Sequence, residues 1–405
     1  MLYFPVGKAS TKKRTLSYAG PQDESPRVES STTLVKPDFL HKPVVHILLI
    51  AILGLIVYSN SFRVPFQFDD LPNIKDNPII KDFQYFVEPS SAKALPLYDD
   101  LKSRFIGHLT FALNCKMHGL NVTGYHIVNL LIHIINALLV YWIVILTFRT
   151  PALKPSHNNY QRFADLIALF SALLFVSHPV QTQAVTYIVQ RFASPATLFY
   201  LLSIASYIRS RLSTERHTRF IFYIISFISA FLAMKTKEIA FTLPVMITIY
   251  EIMFFEGKLT KRILYLIPLL LTMAIIPFTL LSLDKPVGSL ISDVSEATRV
   301  ETTVSRMDYL FTEFRVIVTY IRLLFLPIGQ NLDYDYPIYR SFFDSRVFLS
   351  LLVLTSIISF GIYILCRYRR SAPHIKLISF GIFWFFIALS IESSIIPIVD
   401  VIFEH

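Results

Sequence analysis

The sequence predicts an all-α protein that crosses a membrane several times. Of its 405 residues, 54% are hydrophobic and only 16% are charged, and the mean hydropathy is +0.53. Soluble domains carry roughly 25% charged residues, so this composition argues against a soluble enzyme. Several apolar stretches also reach the length of about 20 residues that a helix needs to cross a bilayer. The formal net charge of +10 then reports which loops stay in the cytoplasm, and does not indicate nucleic-acid binding.

Nine apolar stretches are candidate transmembrane helices. They span residues 44–62, 125–148, 163–180, 193–209, 219–234, 239–255, 262–283, 346–366 and 375–391. Lys and Arg residues cluster in four of the short loops between these stretches, at 149–162, 209–219, 258–262 and 367–376. Because the positive-inside rule places such loops in the cytoplasm, the long first loop, residues 63–124, is predicted on the opposite, outer face.

The two ends of the chain differ from this apolar part. Residues 1–43 are polar and rich in Ser, Thr, Lys and Pro, which predicts a disordered cytoplasmic tail. No cleavable signal peptide precedes the first span, so we expect that span to act as an uncleaved signal anchor. The chain stops at Glu404-His405, just after a new loop begins, and we expect a truncated C-terminus. Residues 44–405 are predicted to form one transmembrane domain.

The segment 306–328 is apolar but carries more charges than a simple span. If it crossed the membrane, the basic cluster after residue 366 would move to the outer face, so an interfacial or re-entrant helix is predicted. Acidic residues from three distant loops then share the outer face, which predicts a site there. These residues are Asp69, Asp70, Asp333, Asp335, Glu392, Asp400 and Glu404.

The adjacent carboxylates Asp69 and Asp70 follow the first span closely. Carboxylates beside a bilayer lose solvation and repel each other, so such a pair indicates a metal, a cation or a reacting proton. A solvated acidic loop is the alternative. A second pair, Asp99-Asp100, has no supporting motif and is predicted to be solvated surface.

Polar residues recur within the second predicted span at helical spacing. His126, Asn129, His133 and Asn136 lie three and four residues apart, and therefore on one helix stripe. In lipid these groups would each cost about 1–2 kcal/mol, so the stripe must face protein or a water-filled cavity. Hydrogen bonding between helices is the favoured interpretation of the stripe, and the alternative is a role in a water-filled site, for which only His126, nearest the outer end, is a candidate.

Basic residues at the predicted outer ends of spans run against the positive-inside trend. A lipid phosphate would explain them, because Arg and Lys neutralise phosphate oxygens through charge-assisted hydrogen bonds. Snorkelling into the head-group region is the alternative. The basic residues concerned, with the neighbouring polar residues at the same span ends, are Arg104, Arg191, Lys235, Lys237, His178 and Glu238.

The sequence contains none of the motifs of soluble phosphate-binding or hydrolytic sites. There is no Gly-rich phosphate loop, dinucleotide fingerprint, zinc-protease motif or serine-nucleophile elbow. A reactive group carried on a membrane lipid would need no such motif. A Mg²⁺ or Mn²⁺ ion held by oxygen ligands is chemically reasonable, but no ligand set demands one. Cys115 and Cys366 predict neither a disulfide nor a metal site.

Ordered motifs run through the chain from about residue 60 to its end. They include Phe68-Asp69-Asp70, Gly124-Tyr125-His126 with Asn129, His178-Pro179, Lys237-Glu238-Ile239-Ala240, Leu332-Asp333-Tyr334-Asp335-Tyr336-Pro337 and Glu392-Ser393-Ser394-Ile395-Ile396-Pro397. Their order and spacing resemble the GT-C membrane glycosyltransferases, in particular the tetratricopeptide-linked transmembrane O-mannosyltransferases and their bacterial relatives. This resemblance implies a GT-C-type bundle of about nine transmembrane helices with a long first outer loop.

The resemblance also implies an inverting transfer of a sugar from a polyprenyl-phosphate donor to an acceptor hydroxyl on the non-cytoplasmic face. The acceptor would be a protein Ser or Thr, or a glycolipid. Asp69 or Asp70 would take the acceptor proton. Lys237, Arg191, Arg104 and Lys235 would stabilise the leaving phosphate. Supporting roles would fall to His126, His178, Glu238, Asp333, Asp335 and Glu392.

Two alternatives to this function remain. Relatives usually carry Glu where this chain has Gln183, so a catalytically inactive membrane scaffold is one. A transporter or flippase for a lipid-linked sugar is the other, and it would predict inverted repeats and charges near the bilayer midplane. The bacterial cytoplasmic membrane is the predicted location. In the alternative, the endoplasmic reticulum, Asn121-Val122-Thr123 would be a glycosylation sequon.

Overall fold

Every described segment of regular secondary structure is helical, which confirms the all-α prediction. The structure, a computed structural model, describes residues 42–153, 159–280, 304–331, 334, 336–368 and 374–393, and these fall within one compact unit. The predicted tail lies almost wholly outside these ranges. So do the predicted site residues Asp333 and Asp335, together with Asp400 and Glu404.

The helices of the described ranges are numbered in chain order. Those of the first half are α1 (Pro43–Val57), α2 (Gln84–Val87), α3 (Tyr98–Ser103), α4 (Phe105–His118), α5 (Val122–Phe148), α6 (Asn159–Ser177), α7 (Thr182–Thr186) and α8 (Ala193–Leu212). Those of the second half are α9 (Arg216–Met234), α10 (Leu243–Phe254), α11 (Leu259–Leu271), α12 (Ile275–Leu280), α13 (Arg306–Phe325), α14 (Ser345–Tyr368) and α15 (Ile375–Leu389).

The longest helix, α5, shows how the sequence sets its own boundaries. Its 27 residues correspond to a length of about 40 Å, more than the hydrocarbon core of a bilayer. The Asn121 side chain caps its start by accepting a hydrogen bond from the Thr123 amide, at 3.1 Å. The helix ends at Phe148, where the apolar run gives way to Arg149. Helices α6 and α8 both pack against it, and α1 packs against α5 and α6.

Five helical segments in the described ranges are long and apolar enough to cross a membrane. They are Val122–Phe148, Ile188–Leu212, Arg216–Met234, Leu259–Thr279 and Ser345–Tyr368. The pair Phe163–Ser177 and Pro179–Thr186, bent by 50°, would make a sixth. By this criterion the predicted count of about nine spans is not reached.

The missing predicted spans are shorter as helices than their apolar sequence suggests. Helices α1 and α15 contain 15 residues each. The predicted span 239–255 begins as a 3₁₀ turn, Glu238–Thr242, so that α10 contains only 12 residues. Apolar composition extends into turns and loops here, which is why composition alone overestimates helix length.

The segment predicted as interfacial or re-entrant, 306–328, contains the 20-residue helix α13. Its charges exclude it from the segments apolar enough to span. One face, including Tyr309, Glu313 and Tyr320, is buried, and the helix packs against α14. The Tyr309 hydroxyl donates a hydrogen bond to the Glu392 carbonyl at 3.1 Å, which ties α13 to the segment after α15.

The connections between helices gather into two groups. One group joins the loop 63–124 to residues 178–192, 235–242, 324–331 and 392; we call it the site end. The other group, the basic end, brings together the connections after α5, α8 and α10. There the Ala152 amide donates to the Phe254 carbonyl, and Glu251 pairs with Arg211 and Arg262. These connections are three of the four in which the sequence places clustered basic residues.

Candidate functional site

The carboxylates of Asp69 and Asp70 lie in different environments. Asp70 is 1% exposed, and its oxygens accept hydrogen bonds from the amides of Gln67, at 3.0 Å, and Val189, at 2.7 Å. Burial raises the pKa of Asp70 to about 6, against the lowering effect of these hydrogen bonds. Asp69 is exposed. The geometry therefore gives Asp70 a structural role and leaves Asp69 as the carboxylate of the pair that is open to solvent.

The backbone around Asp69 is fixed on both sides. Phe68 adopts a φ of 40°, in the left-handed region, which costs a non-glycine residue about 1 kcal/mol or more. The Asp69 amide donates a hydrogen bond to the Tyr187 hydroxyl at 3.0 Å. Asp70 anchors the same loop to the 3₁₀ turn Ile188–Phe192 through Val189. These constraints hold Asp69 close to the turn that precedes α8.

Arg191, predicted to bind the donor phosphate, is fully buried and bonded within the protein. Its Nε donates to Asn129 Oδ1 at 2.6 Å, Nη1 to Asn114 Oδ1 at 2.9 Å and Nη2 to the Tyr125 carbonyl at 2.7 Å. The guanidinium also lies 4.7 Å from the ring centre of Phe111. Such an environment positions α4, α5 and the turn before α8, and keeps the cation away from a ligand phosphate. We revise its role to a structural one.

The polar stripe of α5 bonds mainly to other parts of the protein, as its interhelical interpretation predicted. His126, which is fully buried, donates from Nε2 to the Val64 carbonyl at 2.9 Å. His133 donates to the Val176 carbonyl at 3.2 Å, and Asn136 to the Ser194 carbonyl at 3.1 Å. Together with Asn129, these side chains hold the first loop, α6 and α8 against α5.

A network of charges joins the first loop to the start of α10. Arg104 forms two parallel hydrogen bonds to Glu238, each at 3.2 Å, and its Nη1 lies 3.3 Å from Asp100. His108 lies 2.8 Å from the other Asp100 oxygen. Burial alone would raise the pKa of Asp100, but the His108 hydrogen bond and the Arg104 charge lower it overall. The prediction that Asp99 and Asp100 are both solvated surface is therefore confirmed for Asp99, which is exposed, and wrong for Asp100, which is a partner in this network.

Lys237 and Glu392 meet in a cavity of about 290 Å³ at the site end. Their ion pair measures 3.1 Å, and both side chains are largely buried. The Asn136 oxygen has no hydrogen-bond partner among the described residues, so it can accept one from a ligand or water in the cavity. The cavity is also lined by His133, Gln181, Gln190, Ser194, Tyr320 and Leu324. Sequence reasoning did not assign Gln190, Ser194 or Tyr320 to the site. Gln190 directly precedes the predicted site residue Arg191, which is the signal that could have found it, whereas the sequence around Ser194 and Tyr320 gives no sign that they converge here.

The remaining predicted residues do not line this cavity. Lys235 donates to Thr279 Oγ1 at 2.8 Å in a separate groove beside α12, and burial lowers its pKa. His178 donates from Nε2 to the Leu324 carbonyl at 3.1 Å and so connects α6 with α13. Gln183 donates to the Asn331 carbonyl at 3.2 Å.

Metal binding is untested by this arrangement. Within the ranges that the structure describes, no group of three or more His, Cys, Asp or Glu side chains could hold a metal ion. The carboxylates Asp333 and Asp335 lie outside those ranges.

Comparison with known proteins gives matches over part of the chain. A protein O-mannosyl-transferase of Caenorhabditis elegans is 28% identical over 210 residues, 51% of this chain and 27% of the relative. Protein O-mannosyl-transferase Tmtc3 of Drosophila melanogaster is 30% identical over 220 residues, 51% of this chain and 24% of the relative. Protein O-mannosyl-transferase TMTC2 of Homo sapiens is 29% identical over 169 residues, 39% of this chain and 18% of the relative.

The chain resembles the transmembrane O-mannosyl-transferases. This confirms the resemblance inferred from the ordered motifs. The matched region spans about a quarter or less of the length of these O-mannosyl-transferases. No family model and no solved structure matches the chain. These relatives come from animals, so the predicted bacterial membrane is not supported.

Proposed function

We propose that this chain is the membrane part of a glycosyltransferase that moves a sugar from a polyprenyl-phosphate donor to a hydroxyl group of a protein. The exposed Asp69, held by Tyr187 at the same end of the bundle as the cavity that contains Lys237, is the observation that carries this proposal. The similarity to protein O-mannosyl-transferases supports it and favours mannose as the sugar.

Asp69 acts as the general base. The acceptor oxygen attacks the anomeric carbon, the bond between that carbon and the phosphate oxygen breaks, and its electron pair leaves with the phosphate. The acceptor proton passes to the Asp69 carboxylate. Attack opposite to the leaving group inverts the anomeric centre. The two fixed neighbours of Asp69, Phe68 and Tyr187, keep the carboxylate in place during this step.

Lys237 stabilises the phosphate that leaves. A lipid phosphate is already a good leaving group, so a cation suffices and a strong acid is not required. The Glu392 carboxylate lies 3.1 Å from the Lys237 ammonium, and the donor phosphate would share or replace that carboxylate as its partner. Glu238, which follows Lys237 in the chain, is held by its ion pair with Arg104. This pair therefore fixes the backbone at Lys237.

We further propose that the enzyme faces the lumen of the endoplasmic reticulum with its site end. The animal origin of the relatives supports this compartment. The clustering of Arg211, Arg219 and Arg262 at the basic end supports a cytoplasmic location for that end. A flippase is disfavoured because the charges of the cavity, Lys237 and Glu392, pair at the ends of helices. An inactive scaffold is not required by Gln183, because this side chain bonds to a backbone carbonyl, a role compatible with an active enzyme.

Turnover of a labelled donor tests this function. Purified protein in detergent is supplied with radiolabelled polyprenyl-phosphate mannose and an acceptor peptide rich in Ser and Thr. We expect Asp69→Asn to reduce transfer by roughly 10²-fold or more. Asp99→Asn, which removes an exposed carboxylate from the same loop, should transfer at the parental rate. Equal rates for Asp69→Asn and the parent would overturn the assignment of the base, and binding of the donor without any sugar release would overturn the transferase.

A further inference from the structure

A cavity of about 730 Å³ at the basic end is lined by an unusual density of cations. It lies between the α8–α9 connection and the first turns of α11. Among the described residues of its lining, five are basic and one, Glu256, is acidic. The five are Arg211, Arg219, Lys258, Lys261 and Arg262.

Two of these cations form a rigid floor with Glu251, which is fully buried. Arg211 donates two hydrogen bonds to the Glu251 carboxylate, at 3.0 and 2.9 Å, and Arg262 donates one at 3.1 Å. Arg262 also binds the Glu251 carbonyl at 2.7 Å. Arg211 stacks on Phe255 and Tyr265, at 5.0 and 5.1 Å from the ring centres. A floor built this way keeps its shape when a ligand binds.

The other three cations form the rim. Arg219 is held by the Ser213 carbonyl, with its Nη2 at 2.9 Å. Lys258 and Lys261 are exposed and follow Gly257, whose φ of 142° turns the chain into α11. When Glu251 and Glu256 are set against the five basic residues, the described part of the cavity keeps a surplus of three positive charges. Such a surplus attracts an anion with more than one negative charge.

An apolar surface begins where the basic rim ends. Leu264 and Pro268 complete the lining of the cavity on α11. Leu264 and Leu271 on this helix are 71% and 67% exposed, as expected for side chains in contact with lipid tails. Tyr223 and Tyr265 line the same cavity, and the Tyr223 hydroxyl donates a hydrogen bond to the Tyr265 carbonyl at 2.8 Å. Aromatic residues of this kind are enriched at membrane interfaces.

We propose that this cavity binds the phosphorylated head group of an anionic membrane phospholipid. The rim cations contact the phosphate groups, and the acyl chains lie along the exposed side of α11. Shared phosphate chemistry would also admit a soluble phosphate compound, but only a lipid uses the basic rim and the apolar flank together. This binding site is independent of the sugar-transfer site at the other end.

Lipid retention tests the proposal. The full chain is reconstituted in nanodiscs of phosphatidylcholine with a minor fraction of phosphatidylinositol 4-phosphate, and bound lipid is counted by native mass spectrometry after transfer to detergent. We expect Lys258→Gln with Lys261→Gln to weaken retention of the phosphoinositide roughly tenfold or more, because each lysine near such a head group contributes substantially. Retention of phosphatidylcholine should not change.

The matched control is Lys75→Gln with Lys81→Gln, which removes two exposed lysines at the site end and should retain the phosphoinositide as the parent does. Thermal unfolding confirms that each variant is folded. Arg219→Gln removes a third cation of the rim and should also weaken retention of the phosphoinositide. Equal retention by the rim variants and the parent would overturn the site. Displacement of the lipid by an equal concentration of inorganic phosphate or inositol bisphosphate would overturn the lipid as its ligand.

Discussion

Asp69 and Asp70 are adjacent and chemically identical, and yet Asp69 is exposed whereas Asp70 is buried, with 1% of its surface accessible. The difference arises from two amides, those of Gln67 and Val189, which converge on Asp70 alone. A buried carboxyl held this way stabilises the loop and titrates at an unusual pH. The two residues are thus expected to give separable phenotypes, with Asp69 controlling activity and Asp70 controlling stability.

The pKa of Asp70 makes the stability of the protein depend on pH. Because the folded protein raises this pKa from 3.8 to about 6, it binds the proton more tightly than the unfolded chain does. The resulting stabilisation, about 3 kcal/mol, is complete below pH 3.8 and is lost as the pH rises through 6. Asp70→Asn removes this titration. Its unfolding temperature in detergent should therefore vary less between pH 4 and pH 7 than that of the parent, as differential scanning fluorimetry would measure.

Asp99→Asn serves as the control for this experiment, because Asp99 is exposed in the same loop. It should keep the parental dependence on pH. A parental dependence in Asp70→Asn would contradict the assignment.

Lys237 gives a second prediction at the scale of a residue. Replacing it with Gln removes the cation but keeps a hydrogen-bond donor in the cavity. If Lys237 stabilises the leaving phosphate, the variant should lose kcat for sugar transfer by roughly 10²-fold, and Lys237→Arg should recover part of it. Steady-state kinetics with the labelled donor provide the measurement. A loss confined to protein stability, with kcat unchanged, would assign Lys237 to the ion pair with Glu392 alone.

At the scale of an element, the turn Ile188–Phe192 connects most parts of the site end. Asp70 binds its Val189 amide, Arg191 reaches into α4 and α5, and Phe192 packs against α4. Gly107 on α4 allows this packing, because a Cβ there would lie 2.3 Å from the Phe192 ring. The position of the turn therefore depends on a residue without a side chain in a neighbouring helix.

Gly107→Ala should destabilise the protein for this reason. The added methyl group must push the Phe192 ring away from α4, and overpacking of this kind costs about 1–3 kcal/mol. Thermal unfolding in detergent would show a lower midpoint. Gly381→Ala is the matched control, since Gly381 also lies within a helix but has open space around it, and its midpoint should not fall. Equal midpoints for both variants would contradict the close packing of α4 on the turn.

At the scale of the whole molecule, the charges separate into two chemically different ends. The site end combines carboxylates with Arg104 and Lys237 in ion pairs, whereas the basic end keeps a surplus of cations around Glu251. The helices between them carry the exposed apolar side chains expected of a membrane protein. The two ends should therefore lie on opposite sides of the membrane.

Cysteine labelling tests this arrangement. In a chain with Cys115→Ala and Cys366→Ala, single cysteines are introduced as Lys81→Cys at the site end or Lys258→Cys at the basic end, both at exposed positions. A membrane-impermeant maleimide added to sealed microsomes should label Lys258→Cys, and should label Lys81→Cys only after detergent opens the vesicles. Labelling of both before detergent would contradict the two-sided arrangement.

The sequence by itself determined the helical membrane class, the grouping of basic loops and the hydrogen-bonding stripe on α5. Composition and helical periodicity are local properties, and they suffice for these features. The number of spans was less predictable, because apolar turns such as Glu238–Thr242 resemble helix in composition.

Only the tertiary structure decided which of Asp69 and Asp70 is exposed and which is buried. It also decided that Arg191 is buried among Asn129, Asn114 and Tyr125, and that Asp100 joins Arg104 and His108. The Val189 partner of Asp70 and the partners of Arg191 lie more than 60 residues away in sequence, whereas those of Asp100 lie four and eight residues away and meet it through the turn between α3 and α4; a periodic pattern contains neither kind of contact. Burial and pairing of a charge are set by the residues that surround it in space, and those are fixed only when the helices have packed.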